Sequence, residues 1–139
     1  MRKIGFLVLA GYILLIGYWM LFGFGRDPQP EYSFNLKPLY TIRQFLQADY
    51  FSPKVWMINL VGNVGVFVPY GVLLPLLLKK EKPLKLLFVF LGGVFVLETL
   101  QLLTKRGSWD IDDFILNAVG FLLGYGLYSI LKRFGRRLL

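Results

Sequence analysis

Four long apolar runs separated by short polar links dominate the chain, covering about residues 4–24, 56–78, 84–104 and 113–131. Each reaches the ~20 residues that a helix needs to cross a hydrocarbon core of roughly 30 Å. The first run follows Met1-Arg2-Lys3, a basic start shared with secretory signals. Its length, its aromatic end at Tyr18, Trp19 and Phe22, and the lack of a small-residue cleavage pattern favour an uncleaved span with an interfacial aromatic belt.

Between the first and second runs the chain turns polar, and Pro28, Pro30, Pro38 and Pro53 break helical continuity. Within this loop Leu39, Ile42, Phe45 and Leu46 recur at three- and four-residue spacing, with Arg43, Gln44 and Gln47 between them. That spacing predicts a short helix, read as interfacial, with packing on the protein itself the open alternative. The expected fold is an all-α membrane protein: one domain over 1–139, a bundle of four transmembrane helices with a short interfacial helix in the first extracytoplasmic loop.

Composition agrees with lipid as the solvent. With 56% hydrophobic residues in a chain of 139, the surplus of apolar surface exceeds that of an ordinary small soluble domain and leaves no room for a separate catalytic one. Cysteine and histidine are both absent, which removes disulfides, thiolate and imidazole metal sites, and the usual imidazole acid/base chemistry. No metal or cofactor is expected.

The net charge of +8 sits at the span ends, so its placement argues against nucleic acid and for topology. With the N terminus inside, the inner side receives Arg2, Lys3, Lys79, Lys80, Lys82, Lys85, Lys132, Arg133, Arg136 and Arg137 against Glu81. The outer side receives Arg26, Lys37, Arg43, Lys54, Lys105 and Arg106, offset by Asp27, Glu31, Asp49, Asp110, Asp112 and Asp113. Both termini are therefore expected in the cytoplasm, with the inner basic patches contacting anionic lipid.

Polar residues inside the spans carry the candidate chemistry. A charged side chain near the centre of a span costs about 2.5–3.5 kcal/mol on insertion scales, so Glu98 calls for a water-accessible or ligand-facing site. At ~100° per residue, Glu98, Gln101 and Lys105 share an arc of ~60°, as do Asp113, Asn117, Gly120 and Gly124. Asn59 and Asn63 lie one turn apart on the second span. The orientation above brings these polar groups to the outer half of the bundle and predicts one shared cluster. Gly62, Gly65, Gly120 and Gly124 are the expected close helix contacts, and Pro69 the expected kink. The alternative for the amides is interhelical hydrogen bonding alone, at roughly 0.6 kcal/mol per bond.

Asp110, Asp112 and Asp113 beside Arg106 admit two readings. Clustered carboxylates suit calcium or magnesium, but the full calcium-loop spacing is missing. Capping of the fourth helix by Asp110 or Asp112, with Arg106 as counter-ion, is the simpler account.

Several stretches together give the chain a recognisable signature: Asn35-Leu36-Lys37-Pro38-Leu39 with Ile42, then Asn59-Leu60-Val61-Gly62-Asn63-Val64-Gly65-Val66-Phe67-Val68-Pro69-Tyr70-Gly71. Glu98-Thr99-Leu100-Gln101, Arg106, and Asp110-Ile111-Asp112-Asp113-Phe114-Ile115-Leu116-Asn117-Ala118-Val119-Gly120 complete it. In the order and spacing of these residues the chain resembles the VanZ-like family of small bacterial membrane proteins, named for a member associated with teicoplanin resistance. Lys37 and Tyr70 stand where an apolar residue would be more usual. The resemblance implies a multi-pass protein of the bacterial cell membrane, and for the named member reduced glycopeptide action at the outer surface.

Three functions follow as expectations. The first is a non-enzymatic protein that binds an envelope lipid or lipid-linked cell-wall precursor through Asn59, Asn63, Glu98, Gln101, Arg106, Asp110, Asp113 and Asn117. The second is an enzyme acting on such a molecule, with Glu98 as acid/base and Arg106 with the aspartates positioning an anionic group. It ranks lower for lack of a recognisable nucleophile or metal set, and no catalytic residue is assigned. The third is a small transporter, for which no repeated half is evident and which a homo-oligomer would have to enlarge.

Overall fold

The computed structural model describes residues 2–23, 25–47, 52–78 and 82–137. Phe24, Asp49, Lys79, Lys80 and Glu81 lie outside the described residues, as do the side chains of Arg2, Trp56, Arg136 and Arg137. The chain runs α1 (Arg2–Phe22), β1 (Ser33–Asn35), α2 (Tyr40–Leu46), α3 (Pro53–Leu77), α4 (Pro83–Leu103), β2 (Ser108–Asp110) and α5 (Ile111–Arg137).

Among the described residues four segments are long and apolar enough to cross a membrane: Lys3–Phe22, Asn59–Leu77, Pro83–Leu103 and Ile111–Gly135. The helices begin earlier than hydropathy alone suggests, for local reasons. Pro53 and Pro83 stand in the first turns of α3 and α4, where the missing N–H costs no intrahelical bond. Asp110 accepts the backbone N–H of Asp112 at 2.9 Å and so caps α5 at the helix start. Among the described residues α3 continues unbroken through Pro69 and Pro75.

The expectation of an all-helical protein misses a two-stranded parallel sheet, in which Ser33, Phe34 and Asn35 pair with Ser108, Trp109 and Asp110. Three residues per strand carry too little periodicity to register in the sequence. The sheet ties the first loop to the α4–α5 connection, reinforced by Gln29 N–H to the Lys105 carbonyl at 2.8 Å and Lys105 Nζ to the Pro30 carbonyl at 3.0 Å.

The most extensive helix contact joins α3 and α5. A Cβ on Gly120 would fall on the Val64 carbonyl, and one on Gly124 on the Val68 carbonyl. A Cβ on Gly71 would meet the Phe121 carbonyl and the Gly124 Cα. The backbones therefore touch where side chains are absent. Gly62 and Gly65, expected in this contact, face open space within 4 Å, and Gly71 takes their place.

Beside this seam lies an aromatic core: Phe90 stacks on Phe121 at 4.9 Å and meets Phe67 at 5.4 Å. Tyr70 is buried in it, 5.7 Å from Phe90 and 5.2 Å from Tyr12. The Tyr12 hydroxyl donates to the Val66 carbonyl at 2.6 Å and docks α1 on α3.

Candidate functional site

At one end of the bundle α1 and α4 finish while α3 and α5 begin, and the polar residues collect there in two layers. In the inner layer Asn63 Nδ2 donates to Asp113 Oδ1 at 2.7 Å across the α3–α5 seam. Glu98 on α4 is 1% exposed, and the charges of Asp113, Asp110 and Arg26 act on it. Asn117, one turn beyond Asp113 on α5, is also 1% exposed. Among the described residues, Glu98 Oε2 and Asn117 Oδ1 are buried with no hydrogen-bond partner. Gln101 Nε2 donates to the Met20 carbonyl at 2.5 Å, joining α4 to the end of α1. Asn59 is exposed on the first turns of α3.

The outer layer is a strap formed by β1 and α2, held by the two aspartates at the start of α5. Asp110 accepts from Thr41 Oγ1 at 2.5 Å and from Asn35 Nδ2 at 3.2 Å, besides capping α5. Asp112 is wholly buried and accepts the backbone N–H groups of Leu39 at 2.5 Å and Ile42 at 3.0 Å. Leu39 stands at the N-cap of α2 in the left-handed region, φ 62°, and its aliphatic side chain has nothing to cap with. Asp112 supplies the cap from another helix. These bonds occupy both carboxylates in the structure of the loop, and among the described residues no group of three or more acidic side chains is disposed to hold a metal ion.

The Arg106 side chain goes elsewhere than expected. Helix α4 ends in a paired reverse turn, with Arg106 N–H on the Gln101 carbonyl and Lys105 N–H on the Leu102 carbonyl, and Lys105 in the left-handed region at φ 56°. This turn sends the Arg106 guanidinium to the Arg26 carbonyl at 2.9 Å and over the Phe22 ring at 5.0 Å, and not to the aspartates. Among the described residues, the cation acting on Glu98 and Asp113 is Arg26. A Cβ at buried Gly107 would lie 3.1 Å from Arg26 Nη1 and 3.2 Å from Gln101 Nε2, so the glycine leaves room for both groups.

Of the candidate residues, Asn63, Glu98, Gln101, Asp110, Asp113 and Asn117 gather at this end, while Arg106 points to the rim. Sequence reasoning missed Arg26, Thr41 and the holding role of Asp112. Asn35 and Ile42 did stand in the quoted signature, which was the available signal for a strap bound to the helices.

The profile of one protein family matches residues 7–132, nearly the whole chain, with the second and third spans complete and most of the first and fourth. The chain belongs to the VanZ/LLP1 family. Protein VanZ of Enterococcus faecium is 36% identical over 73 residues, which are 52% of this chain and 45% of that protein. The chain therefore spans less than half the length of that curated relative. No solved structure matches. VanZ/LLP1 membership and four membrane-length apolar helices together describe a multi-pass membrane protein of VanZ type.

Proposed function

We propose that this VanZ-type protein sits in the bacterial cell membrane with both termini in the cytoplasm. Its polar cluster then lies in the outer half of the bilayer, where it binds the head group of an envelope lipid or a lipid-linked cell-wall precursor without altering it. Bound precursor or lipid at that surface limits glycopeptide action, teicoplanin included. The supporting observation is the pair of buried acceptors without partners, Glu98 Oε2 and Asn117 Oδ1. Burying an unpaired polar atom costs about 1–3 kcal/mol, and a group with hydrogens to offer removes that cost. Helix α2, with Leu39, Tyr40 and Leu46 exposed, lies at the membrane surface in this arrangement.

Two outcomes are expected. Because the chain has no cysteine, single cysteines can be placed at will: Gln29→Cys labels with a membrane-impermeant maleimide in intact cells, and Phe134→Cys labels only after lysis. The opposite pattern would put the cluster on the cytoplasmic side. In cells whose teicoplanin tolerance rises with the unaltered protein, Glu98→Gln and Asn63→Ala lose that rise while accumulating normally in the membrane. Full tolerance with both variants would remove the cluster from the mechanism.

A further inference from the structure

Three donors at this end of the bundle are engaged elsewhere. The Asn63 amide is on Asp113 at 2.7 Å, the Gln101 amide is on the Met20 carbonyl, and the Arg106 guanidinium is on the Arg26 carbonyl at 2.9 Å. Among the described residues, the two side-chain atoms left buried and unpaired, Glu98 Oε2 and Asn117 Oδ1, are both acceptors and belong to different helices. Charge points the same way. Asp113 and Asp110 act on Glu98, Asp110 and Asp112 act on Asp113, and Arg26 is a cation acting on both.

Arg26 is not locked in place. It sits on an exposed loop, and its guanidinium hydrogen bond, to the Arg106 carbonyl, is long at 3.5 Å. Its Nη1 lies over Gly107, whose lack of a side chain leaves room for Arg26 and Gln101 together.

We propose that the cluster recognises a primary ammonium group, as carried by the head group of an aminated phospholipid, and that Arg26 holds the ammonium's place in the free protein. The proposal rests on the lipid-binding reading above and names its ligand chemistry. An ammonium brings three donors and no acceptor, which matches unpaired acceptors in an acidic surround. A bare phosphate or pyrophosphate brings acceptors only, which cannot satisfy Glu98 Oε2 and Asn117 Oδ1. When the ammonium enters, Arg26 swings outward to solvent, where its charge is hydrated and can pair with the lipid phosphate.

The test uses the full chain in phosphatidylglycerol nanodiscs, with native mass spectrometry reading the bound lipid. The probes are phosphatidylethanolamine and its N-acetylated form, which keeps the phosphate and glycerol but has no ammonium. Phosphatidylethanolamine is expected to bind at least tenfold more tightly than the N-acetylated lipid. Glu98→Gln should reduce that preference to less than threefold, and Arg26→Gln should strengthen phosphatidylethanolamine binding by about threefold or more, because the competing cation is gone. A purely structural role for Arg26 would weaken binding, and that outcome overturns the placeholder.

Equal binding of the two lipids by the unaltered protein overturns the ammonium specificity even if the Glu98 variant fails to fold. Glu98-dependent binding of a polyprenyl pyrophosphate in their stead would overturn this inference and leave the lipid-binding reading standing. Binding of none of these lipids in a Glu98-dependent way would remove both.

Discussion

Gly124→Val is expected to leave no stably folded protein. The new Cβ would land on the Val68 backbone carbonyl and close to the Gly71 Cα, neither of which can rotate away as a side chain can. Helices α3 and α5 must therefore move apart along the seam that carries the most extensive contact in the molecule. Overpacking a close contact costs roughly 1–3 kcal/mol where flexible side chains absorb it, and more where backbone must shift. Gly120→Val should act alike through the Val64 carbonyl.

The comparison variants are Gly62→Ala and Gly65→Ala, which place a methyl group in open space. These should melt at or slightly above the temperature of the unaltered protein, since alanine is favoured over glycine within a helix by about 1 kcal/mol. Size-exclusion profiles and thermal melts in mild detergent give the readout. A Gly124→Val protein that runs as a single species and melts normally would show that α3 and α5 do not meet backbone to backbone. Because Asn63 and Asp113 bond across the same seam at 2.7 Å, loss of the seam should also abolish any ligand binding at the cluster.

These glycines show how far the sequence could be read. On α5 the phase is right: Asp113, Asn117, Gly120 and Gly124 fall in one arc of ~60°, and both glycines pack where that arc faces α3. On α3 the glycines expected at the contact lie off the contacting face. At ~100° per residue Gly62 lies ~160° and Gly65 ~100° from Val64, whereas Val64, Val68 and Gly71 form one i, i+4, i+7 row that meets α5.

The spans were legible because a lipid-crossing helix announces itself over some 20 residues, a signal that survives one misplaced charge. The strap was not legible, because its order comes from distant partners. Neither Ser33-Phe34-Asn35 nor Ser108-Trp109-Asp110 reads as a strand alone, and Leu39 is a poor N-cap until Asp112 is beside it. Arg26 looked like one of several outer cations. Its reach toward Glu98 depends on Gly107 lacking a side chain, a relation between residues far apart in the chain.

Asp112→Ala is expected to free the strap while leaving the four long helices in place. The substitution removes both carboxylate oxygens that accept from the Leu39 and Ile42 amides, so two backbone donors lose their partners at once. Hydrogen bonds to a charged acceptor contribute about 1.5–3 kcal/mol each, so the loss is on the order of 3 kcal/mol or more. Helix α2 has seven residues, too few to persist without tertiary support. Leu39 is also held at φ 62°, a left-handed backbone that costs a non-glycine residue about 1–2 kcal/mol and relaxes once the cap is gone. Both effects favour opening. Trypsin should therefore cut after exposed Arg43 at least tenfold faster in Asp112→Ala than in the unaltered protein, and amide exchange over residues 39–46 should rise. Asp112→Asn, which keeps one acceptor oxygen but loses the charge, should fall between the two. Thermal melting of the bundle should change far less than with Gly124→Val, because Asp112 lies at the end of α5 and away from the glycine seam. Equal cleavage at Arg43 in the unaltered and Asp112→Ala proteins would mean that Asp110, through Thr41 and Asn35, holds the strap alone.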